Sequence, residues 1–289
     1  MAQHHQRITA SSRPGSHAPV EHLALQLPLW HEKVRGLPNP MARSALFTVG
    51  NKTEPRLYYK SHKTIQTLSG YVITYRGEEL RQDDEDVFLQ LVHLARNHPL
   101  GERVDFAAYT LLKELNWSKS SEGYNRLRGT LDRLQGTSLR ITSQHPGEGG
   151  YQGALIRKFA WKDDENAPLT KWVVYLEPEI VKLFSPNGYT HVFWEQRLRL
   201  KSSMAKYLHG YYASHEQPYP MKVVTLQMLS GSRAARLTDF RKALRKALAL
   251  LVIERFLDSW SIDRSDLVHV IRSPRSARLA APTRTASVA

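Results

Sequence analysis

Apolar side chains between residues 86 and 98 recur at three- and four-residue intervals, at Val87, Leu91, Leu94 and Ala95. This spacing predicts a helix over Asp86–His98 that His98-Pro99 stops. A short extended link, ERVDF, leads to a second periodic segment through Tyr109, Leu111, Leu112 and Leu115, broken at Asn116-Trp117-Ser118. A third helix is predicted over Ser121–Gln135, with Leu127, Leu131 and Leu134 inward. The period then drops to two. Ser138–Ser143 alternates, HPGEGG marks a turn, and Tyr151–Trp161 and Trp172–Leu176 read as strands, so the block is three helices followed by a β-hairpin.

The same order returns further on. SSMAKYLHGYYASH, from Ser202, reads as a helix presenting Met204, Tyr207, Leu208 and Tyr211, and Gln217-Pro218-Tyr219-Pro220 ends it. His215 stands 117 residues after His98, and TLQML follows YTLLKEL at nearly the same offset. A Gly-Ser turn then opens a long helix over Ala234–Leu251, and Arg255–Ile271 supplies two strands about a turn at Asp263–Asp266. A helix-turn-helix followed by a hairpin is the winged-helix plan, so the expected fold is α+β with two tandem winged-helix domains. The expected division is a flexible, polar arm over 1–22, a first domain over 23–190, a second domain over 191–272 as the main DNA-reading module, and a basic flexible tail over 273–289.

Charge narrows the choice of partner. The 289 residues carry 41 Lys+Arg against 27 Asp+Glu, a formal charge of +14. From Gln196 onward there are 17 basic and 6 acidic residues, so most of the positive field lies in the C-terminal third and calls for an anionic partner. No cysteine is present, which excludes disulfides, thiol catalysis and iron–sulfur clusters. No apolar run approaches the roughly 20 residues that cross a bilayer, and the start lacks a signal-peptide core. The expectation is a cytoplasmic protein with no membrane partner and no cofactor.

The long helix of the second module tests the DNA reading. Leu237, Phe240, Leu244, Ala247, Leu248 and Leu251 form one apolar stripe; Thr238, Arg241, Lys242 and Arg245 cluster opposite, with Arg233, Arg236 and Lys246 flanking and Asp239 the one acid among them. A solvated helix gains from mixed signs at i,i+4, so this bias invites a polyanion. In the first module the corresponding helix offers Asn125, Arg126, Gly129 and Arg133, with Lys119 and Ser121 at its entry, weakened by Asp132. Packing or dimerisation is the alternative use of that helix.

Enzymatic readings find little support. There is no GxxxxGK[ST], and GEGG lies between alternating segments, where a hairpin turn explains it. Tyr211-Tyr212 resembles a nickase pair, but that chemistry needs a metal held by His-hydrophobe-His, which none of the 13 histidines forms; helix packing is the expected role. His93, His98, His209 and His215 show no metal-ligand spacing. The acidic run Asp83-Asp84-Glu85-Asp86 is expected to precede a helix and cap it.

LPLW (27–30), RGLPNP (35–40), RSALF (43–47), VHLARNHPLG (92–101), FWEQR (193–197), YLHGYYASHEQPYP (207–220), FRKALRKAL (240–248) and DLVHV (266–270) together closely resemble the TrfA-type plasmid replication initiators, in the same order over Leu27–Val270. The resemblance implies two winged-helix domains that bind repeated origin sites, iterons, as monomers, with dimers in a restraining role. It also implies opening of adjacent A+T-rich DNA and recruitment of the host initiator DnaA and the replicative helicase in the bacterial cytoplasm. A double winged-helix transcriptional repressor shares every DNA-binding feature and is the alternative. QLPLW, finally, is similar to the sliding-clamp peptide Gln-Leu-x-Leu-Phe through Gln26, Leu27 and Leu29, with Trp30 for Phe. Leu23, Leu25, Leu27 and Leu29 also alternate as an edge strand would, and both uses stay open.

Overall fold

The computed structural model describes residues 26–274 apart from 52, 69, 145–149, 163, 164 and 166. The expectations for the arm, most of the HPGEGG turn and the tail beyond 274 lie outside the described residues. The buried apolar side chains form two clusters that part between Trp194 and Leu200.

The first cluster opens with β1 (Val34–Pro38), α1 (Asn39–Ala42), β2 (Phe47–Thr48), a hairpin of β3 (Tyr58–Ile65) and β4 (Tyr71–Glu78), and β5 (Leu80–Arg81). α2 (Gln82–Ala95) begins four residues before its apolar spacing suggests. The acidic run therefore lies inside its first turn rather than before it: Asp84 Oδ2 accepts from Arg81 N at 2.7 Å and does the capping from within. β6 (Val104–Phe106), α3 (Ala108–Glu114) and α4 (Ser121–Gln135) follow. α4 has the bounds its sequence predicts, with Leu127, Leu131 and Leu134 fully buried. On α3, by contrast, Tyr109 is exposed rather than inward.

The strands after α4 differ from the expected hairpin. β7 (Ser138–Ser143) and β8 (Tyr151–Gly153) pair, but they extend the β3–β4 hairpin into a four-stranded sheet, β3-β4-β7-β8. The wing is β9 (Lys158–Lys162) with β10 (Pro168–Tyr175), which with β6 makes a sheet ordered β6-β10-β9. The single strand expected over Tyr151–Trp161 is broken because Leu155 and Ile156 are both fully buried. Two adjacent inward residues cannot keep a strand's alternation. A 3₁₀ turn over Pro178–Phe184 and β11 (Tyr189–Phe193), antiparallel to β1, complete this part.

The second cluster holds α6 (Ser203–Ala213), reached through α5 (Trp194–Arg199) and capped by Ser202, whose Oγ accepts from Ala205 N. β12 (Met221–Lys222), α7 (Val223–Leu229), α8 (Leu237–Ile253), β13 (Leu257–Ile262) and β14 (Leu267–Arg272) follow, with sheet order β12-β14-β13. Element for element, α6-β12-α7-α8-β13-β14 repeats α2-β6-α3-α4-β9-β10, and the two three-stranded sheets share one topology. The β7–β8 excursion is the insertion that distinguishes the first copy. Tyr207, Tyr211 and Tyr212 pack in the second core, as the helix reading of the tyrosines requires.

The turn between the paired helices is also the same in both copies. Trp117 N donates to Leu112 O and Ser232 N to Gln227 O, closing each helix with a left-handed residue, Asn116 (φ 55) or Gly231 (φ 62). Gly231 has a further constraint, since a Cβ there would come within 2.7 Å of Thr48 Cγ2 across the boundary between the clusters. Among the described residues no helix is long and apolar enough to cross a membrane.

Candidate nucleic-acid interface

At about 100° per residue, the buried stripe of α8 (Phe240, Leu244, Ala247, Leu248, Leu251) leaves Thr238, Lys242, Arg245 and Lys246 pointing away from the core, and all four are exposed. Among the described residues none of the four has an ion-pair partner. Arg241, on the flank of the stripe, is different. Its guanidinium makes a bidentate pair with Asp266, Nε to Oδ1 at 3.0 Å and Nη2 to Oδ2 at 2.7 Å, and so ties the helix to the turn of its own wing. Asp266 itself adopts φ 62 at that turn, and the Asp263 carboxylate accepts from Ser265 N and Leu267 N to close it. Arg236 pairs with Asp239 at 2.8 Å, and Arg233 reaches Glu54 at 2.8 Å in the other half of the molecule. Of the seven residues that sequence groups on this helix and its entry, four face solvent unpaired and three are engaged.

One further exposed basic residue near this face, Arg264, was not singled out from the sequence. It is exposed at the tip of the β13–β14 turn, where a wing meets a DNA backbone. The signal available was a lone Arg inside a DRSD turn.

In the first module the basic residues of α4 are used internally. Arg133 donates to Asp84 Oδ1 through Nε and Nη2 at 3.0 and 2.8 Å, and Arg126 Nη2 reaches Asp83 at 3.0 Å while its guanidinium lies 3.7 Å from the centre of the Trp117 ring. Asn125 accepts from Arg128, which stacks on Trp161 of the wing. Lys119 sits over the Tyr109 ring and donates to its hydroxyl at 3.1 Å. Two arginines of the expected reading face are thus paired in the free protein with Asp83 and Asp84, more than 40 residues upstream, which no local pattern reveals.

The family model described as TrfA protein matches residues 20–272. The chain belongs to the TrfA family. The plasmid replication initiator protein TrfA of Escherichia coli is 34% identical over 245 residues, covering 84% of this chain and 63% of that protein, so the chain spans less than two thirds of that relative's length. Two crystal structures share the fold of this TrfA-family chain. A selenomethionine derivative of domains 2 and 3 of RctB matches with a TM-score of 0.55 at 13% identity, over 82% of this chain and 98% of that one. A second structure of RctB domains 2–3 matches with a TM-score of 0.54 at 12% identity, again over 82% and 98%.

The QLPLW segment lies against the first core of the TrfA-family chain. Leu27 and Trp30 are buried, Leu29 is 68% exposed, and Gln26 is exposed with its amide 3.4 Å from Arg96 O. The described part of the segment belongs to no sheet, so the edge-strand alternative fails there. Trp30 stacks on Phe184 and donates through Nε1 to His93 Nδ1 at 3.0 Å; His93 Nε2 then faces Glu32 at 2.9 Å. A bond from the indole needs Nδ1 bare, so the neutral imidazole carries its proton on Nε2 and gives it to Glu32.

Burial pushes His93 down to about 4, with Arg35 and Arg96 adding to the effect against the bond to Glu32. Burial also lowers His215 to about 4 and holds His209 well below its ordinary value. Between pH 6.5 and about 4 the unfolded chain thus binds more protons at these positions than the folded one, and stability falls as pH is lowered through that window. Urea midpoints are expected to drop steadily from pH 7 to pH 5, and His93→Gln to flatten the slope by its share. An unaltered slope in that variant would place the proton uptake elsewhere.

Proposed function

We propose that this chain is a plasmid replication initiator that binds iterons at a plasmid origin, promotes opening of adjacent A+T-rich DNA and recruits host replication proteins without covalent chemistry. The observation that carries the reading is the unpaired basic face of α8, beside a wing braced by Arg241–Asp266, in a chain of the TrfA family. A helix that presents Thr238, Lys242, Arg245 and Lys246 to solvent suits a major groove, and an exposed Arg264 at the wing tip suits the neighbouring phosphates. Energy for opening would come from binding: several protomers bend or untwist the array, and A+T-rich duplex beside it yields at least cost.

Membership in the family supports a monomer on DNA with a homodimer as the restrained form, and DnaA, the replicative helicase and the sliding clamp as host partners. Single-stranded A+T-rich DNA is a further partner of the opened origin. Docking of QLPLW on the clamp uses Leu29 as it stands but needs Leu27 and Trp30 to leave the core.

The test is footprinting along the plasmid's origin at several salt concentrations, with permanganate to reveal unpaired thymines. Regularly spaced protection beside reactive A+T-rich DNA is expected. Protection of a promoter alone, with no melting when host partners are supplied, would leave a repressor.

A further inference from the structure

The acidic run at the start of α2 is shared between the two modules. Asp83 and Asp84 face the first module: Arg56 reaches Asp84 at 2.6 Å and Asp83 at 3.2 Å, and Arg126 and Arg133 arrive from α4. Glu85 and Asp86, the next two residues, face the second. Arg197 of α5 donates through Nη2 to Glu85 Oε2 at 2.8 Å and to Gln82 Oε1 at 3.1 Å, and through Nε to Asp86 Oδ1 at 2.7 Å; Lys206 of α6 also pairs with Asp86. Arg197 Nη1 returns to Lys206 O at 3.2 Å, so the two cations are themselves linked.

We infer that this helical turn fixes the spacing between the two DNA-contacting modules, with Arg197 and Lys206 as the residues that position the second module on the first. The inference rests on the initiator reading above. A single turn of helix cannot flex between its third and fourth residues, so α4 on one side and α5–α6 on the other are held to one rigid support. α6 in turn packs on α8, which carries the basic face. Arg197 is fully buried and Asp84, Glu85 and Asp86 nearly so, and rotation of one module on the other would leave these charges without partners.

Two further contacts resist the same rotation. Gly210 of α6 meets Leu37 of β1 so closely that a Cβ would come within 2.9 Å of Leu37 Cδ2, and Val49 N donates to Ser230 O at the end of α7 at 3.0 Å. On the first-module side of the cluster, Arg126 and Arg133 are paired with Asp83 and Asp84 in the free protein.

A fixed support makes a prediction about DNA. Two base pairs inserted between the segments that the modules touch turn one segment by about 70° around the duplex axis, and a rigid protein cannot follow. Footprints of the native protein and of a Lys242→Ala, Arg245→Ala variant first assign each module its half of the bound repeat. Affinities are then read by fluorescence anisotropy on the native repeat and on the repeat carrying the insertion.

The native protein is expected to prefer native spacing by about tenfold or more, the scale of one lost base contact. An Arg197→Lys, Lys206→Met variant is expected to reduce that preference to less than about threefold, at the scale of the contacts it no longer has to forfeit. Tyr151→Phe, which loses a hydrogen bond to Ala154 inside the first module only, should keep the full preference. If the double variant does not fold, Lys206→Met alone gives the same reading. A folded variant that discriminates as the native protein does, or a native protein that binds both duplexes equally, overturns the inference. A native protein that protects no repeated origin DNA overturns the initiator reading instead.

Discussion

Alanine at both Lys242 and Arg245 is expected to weaken sequence-specific DNA binding by about a hundredfold while leaving the fold intact and a footprint visible at higher protein concentration. Both side chains stand opposite the buried stripe of α8, and among the described residues neither makes an ion pair or side-chain hydrogen bond in the free protein. If Arg245 reads a base and Lys242 a phosphate, the double variant loses on the order of a hundredfold in affinity, and the slope of log affinity against log salt falls by about one. Arg241→Ala should weaken binding less, because its guanidinium is already committed to Asp266 and its removal loosens the wing rather than a contact to DNA. Anisotropy titrations at three salt concentrations measure both quantities, and thermal melts of the same samples check the fold. Unchanged affinity on the native repeat would take these two residues out of the interface.

The second large effect is on stability. Arg197→Met is expected to cost about 3–5 kcal/mol, read as a lower urea midpoint, because it leaves buried carboxylates without their cation. The methionine fills much of the volume, so the loss reports charge rather than a cavity. Burial opposes the charge on Arg197, but Asp86 and Glu85 more than offset it and hold its pKa up. Burial also pushes Glu85 up against the pull of Arg197, so its charge is opposed by its surroundings. Arg197→Met with Glu85→Gln should therefore recover part of the loss. A single variant as stable as the native protein would mean that water already reaches this cluster.

The helices of both modules were readable from periodicity because each buries one face, and the repeat of their order carried the winged-helix fold. What periodicity did not separate was which strands form the wing: β7 and β9 both follow α4, and only the buried pair Leu155–Ile156 marks where the chain passes from one sheet to the other. β3 and β4 both went unread: seven of the eight residues of β3 are exposed or half-buried and show no inward face, whereas β4 alternates clearly and its signal was passed over. The exposed basic face of α8 was legible from its own spacing, although the pairing of Arg241 with Asp266, 25 residues on, was not. The pairing of two α4 arginines was not legible, because their partners lie more than 40 positions away.

The partners of Asp86 lie 111 and 120 residues further along the chain. A ribosome adding roughly 5–20 residues each second needs on the order of 10 s to cover that distance. For that interval the nascent first module carries Glu85 and Asp86 without the cations that meet them in the folded protein. Docking of the second module on the first thus waits on α5 and α6, and a chain stalled short of them presents an acidic helix end where the folded protein has ion pairs.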